Sequence, residues 1–333
     1  MLPTGKLPHE LLGRLLEAHR PSSRSILMGP GVGEDAAAVL TKLPCMVVAS
    51  DPVTCVSERL GWHVVHVNAN DVATRGAEPL WFLCTLLIAP HEAEPERIAQ
   101  IFDDIATTCK EVGAELIGGH TEVTSSVQRT IAVGTMIGEV TTFRLTATRG
   151  ATHGDTVLLV GAPAVEGTAV LAREKPGWLR TKGVGDDVLE RAARLLDDPG
   201  ISVLSAVRAT LAVGHPHSMH DVTEGGLATG LWELSTAARH EIEVEDQAVQ
   251  FLDETRIICD ALGLDPWGLM ASGALLVTCD DDDVAPLQTV YRERNLWCAR
   301  LGRVGARGVS VKRGGQPLPQ FARDELIRAL EMF

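Results

Sequence analysis

Val64-Val65-His66-Val67-Asn68-Ala69-Asn70-Asp71-Val72-Ala73-Thr74-Arg75-Gly76-Ala77-Glu78-Pro79 reads as a helix packed against a neighbour, with Asn68, Asn70 and Asp71 set inside its apolar pattern. Asn and Asp compete with the helix for backbone hydrogen bonds, so they are poor interior residues. Their clustering predicts a helical segment that faces a site. A solvated face or an internal cap would use the same residues, so the functional reading depends on similar acid-bearing elements recurring elsewhere.

They do recur. Met28-Gly29-Pro30-Gly31-Val32-Gly33-Glu34-Asp35-Ala36-Ala37 is a glycine-rich turn running straight into Asp35. Glycines free the backbone for a tight turn or for close approach to a ligand. No Gly-Lys-Ser/Thr follows, so this is not a Walker loop. Met46-Val47-Val48-Ala49-Ser50-Asp51 is an apolar strand with an acid at its C-terminal end, where sheet folds commonly place sites. His220-Asp221-Val222-Thr223-Glu224-Gly225-Gly226-Leu227 repeats the pairing of acids with glycines before an apolar helix. Gly33–Ala37 and Asp221–Gly226 are alike enough to raise the idea of two halves built on one α+β plan.

The elements between these motifs follow from periodicity. Helices are predicted over residues 7–19, 94–112, 166–174, 201–213, from 227 onward, and over 321–332. Strands are predicted over 80–88, 114–122, 129–139, from 155, and over 273–279. Residues 175–199 read as loop plus a short helix, and the acidic run Asp280–Asp283 as a solvated helix start. The chain turns polar around residues 146–154, which predicts two domains, 1–150 and 151–333. The length of 333 residues also favours two cores.

Composition narrows the function. With 45% hydrophobic and 22% charged residues, this is an ordinary globular chain. A net charge of −14 argues against nucleic acid or an anionic membrane as main partner. Seven cysteines without a C-x-x-C pair read as reduced, mostly buried thiols. With no apolar stretch of signal or membrane-spanning length, a soluble, cytoplasmic protein is expected.

Asp35, Asp51, Asp71, Asp221 and Glu224 lie beside glycines or at element ends. Carboxylates that converge repel one another unless a cation sits between them. Hard oxygen ligands favour Mg²⁺, which commonly shares its shell with substrate phosphates. Phosphoryl transfer uses this arrangement. No His/Cys pair at ligand spacing accompanies the acids, which argues against zinc.

Taken in order, Gly33-Glu34-Asp35-Ala36-Ala37, Ser50-Asp51, Asn68-Ala69-Asn70-Asp71-Val72-Ala73, Gly118-Gly119-His120-Thr121, His220–Leu227 and Asp265-Pro266-Trp267-Gly268-Leu269 resemble one superfamily. It is that of aminoimidazole ribonucleotide synthetase, selenophosphate synthetase, thiamine-monophosphate kinase and the hydrogenase maturation protein HypE. The resemblance covers residues 25–305. It implies a two-domain α+β architecture, with an N-terminal sheet that pairs with a second copy's into a dimeric β-barrel and a C-terminal α/β domain. It implies ATP and Mg²⁺ as cofactors and phosphoryl transfer to an oxygen. By the same resemblance Asp35, Asp51, Asp71 and Asp221 are the metal ligands. Gly33, Asn70, Gly118, Gly119, Thr121 and Glu224 join Asp35, Asp51 and Asp71 around the nucleotide, and Asp71, His120 and Asp221 act in catalysis.

The chain departs from the pattern in three places. His120 stands where kinase-like members carry an Asp, so its neutral imidazole would bind metal differently or would touch substrate or phosphate instead, with Glu122 available as the acid. The last cysteine is Cys298 and the sequence ends Arg328-Ala329-Leu330-Glu331-Met332-Phe333, unlike the C-terminal cysteine of HypE, so dehydration of a carbamoylated tail is not expected. The reactive Cys or selenocysteine and the Lys of selenophosphate synthetases have no counterpart before the glycine-rich turn. The expected enzyme is therefore HypE-like without the tail chemistry, acting on a small-molecule or protein-borne acceptor as a homodimer. The alternatives are a thiamine-monophosphate-type kinase, disfavoured by the lack of a basic cluster, and a nucleotide-binding assembly or regulatory protein without turnover.

Overall fold

The computed structural model describes residues 5–6, 9–28, 38–245 and 247–332. The chain divides into two compact units, Met1–Leu145 and Thr146–Phe333.

The first unit is built on one open sheet. Its strands run in the order Gly5–Lys6, Glu115–Val123, Glu78–Ile88, Ile131–Val140 and Cys45–Ala49, and Pro52–Val53 also pairs with Ile131–Val140. Glu78–Ile88 and Glu115–Val123 are parallel, joined through the helix Pro95–Val112, and the remaining pairs are antiparallel. That helix ends at Gly113, whose φ of 91° lets its N–H cap the Cys109 and Lys110 carbonyls. A second helix, Leu60–Thr74, lies against both the sheet and Pro95–Val112.

Two inward glycines set how closely Leu60–Thr74 lies on the sheet. A Cβ on Gly134 would fall 2.3 Å from Asn68 Nδ2, and one on Gly138 would fall 2.5 Å from Val72 Cγ1. Along Ile131–Val140 the even-numbered residues are buried beneath the helices. Ile131, Val133, Thr135 and Ile137 face the other way and are only half-buried. Leu83 and Leu87 share that outer face, and Met46 and Val48 on the neighbouring strand are 51% and 57% exposed. Among the described residues, the sheet thus has one packed face and one apolar face that is only partly covered.

The second unit holds a seven-stranded sheet, ordered Ser218–Val222, Ala274–Cys279, Thr156–Val160, Cys298–Arg307, His240–Val244, Val311–Arg313 and Gln316–Pro317. Thr156–Val160 and Ala274–Cys279 are buried at every position, as expected of central strands covered on both faces. Val157, Leu159, Ala274 and Leu276 pack with Leu227, Leu231 and Leu234 of the helix Gly226–Ala238. The helix Asp281–Glu293 also packs against Thr156–Val160, and its buried Tyr291 hydroxyl meets Thr210 Oγ1 at 2.7 Å.

Several boundaries differ from the sequence reading. The helix expected over 64–79 runs Leu60–Thr74, because Gly76 turns the chain at φ 79° and frees Glu78 to begin a strand. Residues 175–199 contain two helices, Pro176–Thr181 and Asp186–Arg194, and the tail helix is Glu325–Glu331, capped by Asp324. The two sheets differ in strand order and in pairing, so the likeness of the two acid–glycine motifs does not extend to a common plan. Among the described residues, no helix is long and apolar enough to cross a membrane.

Candidate functional site

The polar residues inside Leu60–Thr74 separate into different jobs. Asn68 is fully buried and grips the backbone of Asp51 from both sides. The Asp51 N–H donates to Asn68 Oδ1 at 2.9 Å, and Asn68 Nδ2 donates to the Asp51 carbonyl at 3.2 Å and to the Val64 carbonyl at 2.8 Å. The Gly134 N–H also donates to the Asp51 carbonyl at 3.0 Å, and Ser50 Oγ donates to the Gly134 carbonyl at 2.7 Å. The link after Cys45–Ala49 is therefore tied to both helix and sheet, and the Asp51 residue itself stays exposed.

Asp71 lies three residues beyond Asn68 on the same helix, roughly 4.5 Å further along its axis. Every other residue of Leu60–Thr74 is buried except Val67, so the half-exposed Asp71 marks the strip where the helix reaches the surface. Asn70, beside it, is fully buried. Asn68 thus ties the Asp51 backbone to the helix that also carries Asp71. Gly33 and Asp35 lie outside the described residues.

Gly118, Gly119, His120 and Thr121 sit on Glu115–Val123. Gly119 has φ 148°, and a Cβ there would fall 1.9 Å from the Cys84 carbonyl oxygen, so strand packing alone requires this glycine. At Gly118 a Cβ would meet only Leu83, at 3.4 Å, which leaves its backbone approachable. His120 Nε2 lies 3.5 Å from Glu122 Oε2. His120 is in register with Thr85, Thr85 with Val133, and Val133 with Pro52. Three strand spacings separate His120 from the Asp51 edge, about 14 Å.

At the start of the same helix, Trp62, His63 and His66 are buried together, with Trp62 edge-on to both imidazoles and the Arg59 guanidinium 4.2 Å from the Trp62 ring. Burial, then His63 and Arg59, hold His66 down at about 3. A lowered histidine pKa makes the folded state lose stability as pH falls from the unfolded value near 6.5, by about 1.4 kcal/mol per pH unit. We expect His66→Leu to reduce the drop in urea-unfolding free energy between pH 7 and pH 5 by ~2 kcal/mol relative to wild type. An unchanged pH dependence would show that His66 is protonated in the fold.

In the second unit, Asp221 is buried on Ser218–Val222 and Glu224 is exposed in the loop that follows. Gly225 and Gly226 take φ values of 79° and 66° and start Gly226–Ala238. A Cβ on Gly226 would fall 2.5 Å from the Trp267 carbonyl, which ties this loop to the Asp265-Pro266-Trp267-Gly268-Leu269 motif. Asp324 accepts from the Gly225 N–H at 2.5 Å. The sequence reading missed both Asn68 as the holder of Asp51 and Asp324. For Asp324 the available signal was an Asp directly before a helical run.

It also missed Asp155, His217 and Asp280, the one group among the described residues spaced for a metal. His217 Nδ1 lies 2.9 Å from Asp155 Oδ1, and its Nε2 lies 3.7 Å from Asp280 Oδ2. Buried Asp155 already accepts from the Thr152 N–H and hydroxyl, so the group reads as a polar clamp on the start of the sheet. It lies at the far end of Ser218–Val222 from Asp221. All seven cysteines are free, and burial pushes the thiols of Cys84, Cys259, Cys279 and Cys298 up to about 12, too high for a nucleophile at neutral pH.

The family model of the AIR synthase related protein, N-terminal domain, matches residues 33–140, and that of the C-terminal domain matches residues 152–313. Carbamoyl dehydratase HypE of Cupriavidus necator is 28% identical over 272 residues, which is 78% of this chain and 73% of that protein. Phosphoribosylformylglycinamidine cyclo-ligase of Limosilactobacillus reuteri is 28% identical over 252 residues, 66% of this chain and 69% of that one. The crystal structure of HypE in complex with ATP superposes with a TM-score of 0.78 at 22% identity, covering 96% of each chain. Thiamine-monophosphate kinase from Stenotrophomonas maltophilia superposes at 0.70 and 21% identity, over 94% of this chain and 98% of that one. With both models matched in order along most of its length, the chain belongs to the AIR synthase related family.

Proposed function

We propose that this protein is an ATP- and Mg²⁺-dependent enzyme that transfers the γ-phosphoryl group to an oxygen of a small-molecule or protein-borne acceptor. The observation that carries the reading is the junction of Asp51, Asn68 and Asp71. A buried amide that neither titrates nor carries charge holds the backbone of Asp51 against the helix that carries Asp71. Two carboxylates meeting there would suit a hard cation. In a chain of net charge −14 the cation is also what reconciles phosphates with the surrounding acids. When bound, Mg²⁺ would neutralise charge on the phosphate oxygens.

The chain's own part is mainly positioning. Asn68 fixes the backbone of Asp51, and the helix fixes Asp71 beside it. Gly118 offers an open strand backbone, where a Cβ would meet only Leu83. His120, about 14 Å from Asp51 by strand spacing, is assigned with Glu122 to the acceptor side. The solved HypE structure that shares this fold is named as an ATP complex, and the named relatives include a dehydratase and a cyclo-ligase, which supports a nucleotide-using enzyme.

We infer a homodimer through this sheet face, where exposed Val48 and half-buried Ile137, Leu83, Leu87 and Val133 present one run of apolar surface among the described residues. Calorimetry with ATP, with and without Mg²⁺, followed by assays of ADP and phosphate release against candidate acceptors, tests the reading. Binding that requires Mg²⁺, with acceptor-dependent release, is expected. Binding of equal strength without Mg²⁺ would contradict it, and Mg²⁺-dependent binding with no turnover on any acceptor would favour a non-catalytic nucleotide-binding protein.

A further inference from the structure

The register of the second sheet brings three sequence-distant side chains to one of its ends. Ser218 pairs with Thr278, and Cys279 pairs with Thr156. His217 and Asp155 each precede a strand and Asp280 follows the strand between them, so all three stand at the same end of three adjacent strands. The backbone at His217 has little freedom. Its N–H donates to the Thr278 carbonyl at 2.8 Å, and a Cβ on Gly150 would fall 2.0 Å from the His217 carbonyl oxygen. Ser218 Oγ meets Thr278 Oγ1 at 2.9 Å in the buried layer behind. One ligand atom from each of Asp155, His217 and Asp280 lies within 4.8 Å of the other two.

Hydrogen bonding explains the Thr152 contacts of Asp155 and leaves two features over. The first is charge. Asp155 is 2% exposed, yet among the described residues no Lys or Arg pairs with it, and its one ionisable partner is His217. Arg303 reaches the neighbouring Gly154 carbonyl but is spent on Asp281. A buried carboxylate is costly without a counter-charge. The second is Asp280, which occupies the N-cap position of Asp281–Glu293 without a side-chain capping bond. An Asp there ordinarily accepts from the first turn of its helix. Instead its Oδ2 stands 3.7 Å from His217 Nε2. That is too long for a hydrogen bond. It falls within the spacing of atoms that share one ion, roughly 3–4 Å when each bond is about 2.1 Å.

We propose that Asp155, His217 and Asp280 hold a divalent transition-metal ion, with water completing its shell, and that the ion pins this end of the second sheet. Two carboxylates balance a charge of +2 and leave the imidazole neutral, as ligation requires. One nitrogen and two oxygens suit Zn²⁺ better than Mg²⁺, which prefers an all-oxygen shell and sheds water reluctantly. All three ligands belong to the second unit, so the site stands or falls independently of the nucleotide-binding reading.

The test is Zn²⁺ titration of the chelator-stripped full chain at pH 7.5, in competition with a chromophoric chelator, alongside the unfolding temperature with and without Zn²⁺. One ion bound per chain is expected, retained in millimolar Mg²⁺, with a higher unfolding temperature in its presence. His217→Ala and Asp280→Asn should each weaken that binding at least about tenfold and abolish the Zn²⁺-dependent rise in unfolding temperature. The Asp280 side chain is 72% exposed, so Asp280→Asn reports on the site even if His217→Ala fails to fold. Equal Zn²⁺ affinity in wild type and Asp280→Asn places the ion elsewhere and overturns the proposal. A wild type that binds no Zn²⁺ at micromolar concentration overturns it as well, and leaves the three side chains as a hydrogen-bonded clamp.

Discussion

Asp71→Asn is expected to weaken Mg-ATP binding about a hundredfold, ~2.7 kcal/mol, while leaving the unfolding temperature within a few degrees of wild type. The substitution removes one anionic oxygen and almost no volume. Asp71 stands on the half-exposed strip of an otherwise buried helix, so the core around Val64, Val65 and Val72 is untouched. A Mg²⁺ ion depends on few protein carboxylates and keeps the rest of its shell as water and phosphate. Losing one of two therefore falls directly on affinity. Isothermal titration at fixed Mg²⁺ measures it, and an unchanged dissociation constant would remove Asp71 from the site.

Asn68→Ala should show the complementary pattern, with a large loss of stability accompanied by a loss of binding. It deletes the acceptor for the Asp51 N–H and one donor each to the Asp51 and Val64 carbonyls, leaves the Asp51 carbonyl to the Gly134 N–H, and empties a fully buried position. The expected cost is about 2–4 kcal/mol in denaturant unfolding. Nucleotide affinity should fall roughly tenfold, ~1.4 kcal/mol, because Asp51 is no longer fixed beside Asp71. Gly134→Ala reaches the same place by another route, since its Cβ would lie 2.3 Å from Asn68 Nδ2 and push the amide aside. If Asn68→Ala loses stability yet binds Mg-ATP normally, the amide supports the fold and has no part in the site.

Much of this was legible in the sequence because local chemistry and burial pointed the same way. Three polar residues inside an apolar helix marked Leu60–Thr74 as facing something, and period-two alternation marked Ile131–Val140. What periodicity could not divide was labour among those residues. Asn68 is spent on the backbone of Asp51, 17 positions away, and only tertiary packing reveals it. Gly118 and Gly119 look equivalent in sequence. Only the Cys84 carbonyl, lying where a Cβ on Gly119 would be, shows that one of them belongs to the sheet.

The second unit was harder to read for the same reason. His240–Val244 and Cys298–Arg307 alternate polar and apolar residues irregularly, with register shifts along their pairing. Asp324 and the Asp155–His217–Asp280 group join residues 60 or more positions apart through hydrogen bonds and ion pairs that leave no local pattern. The acidic run Asp280–Asp283 does begin a helix, and Asp281 is additionally held by Thr156, Arg300 and Arg303.

The most direct measurement is a crystal structure of the protein with Mg²⁺ and a non-hydrolysable ATP analogue. The expected result is a Mg²⁺ ion bound to the analogue's phosphates and to carboxylate oxygens of both Asp51 and Asp71 at about 2.1 Å, with Asn68 still bonded to the Asp51 backbone. A nucleotide bound elsewhere, or a cation whose shell contains neither carboxylate, would contradict it.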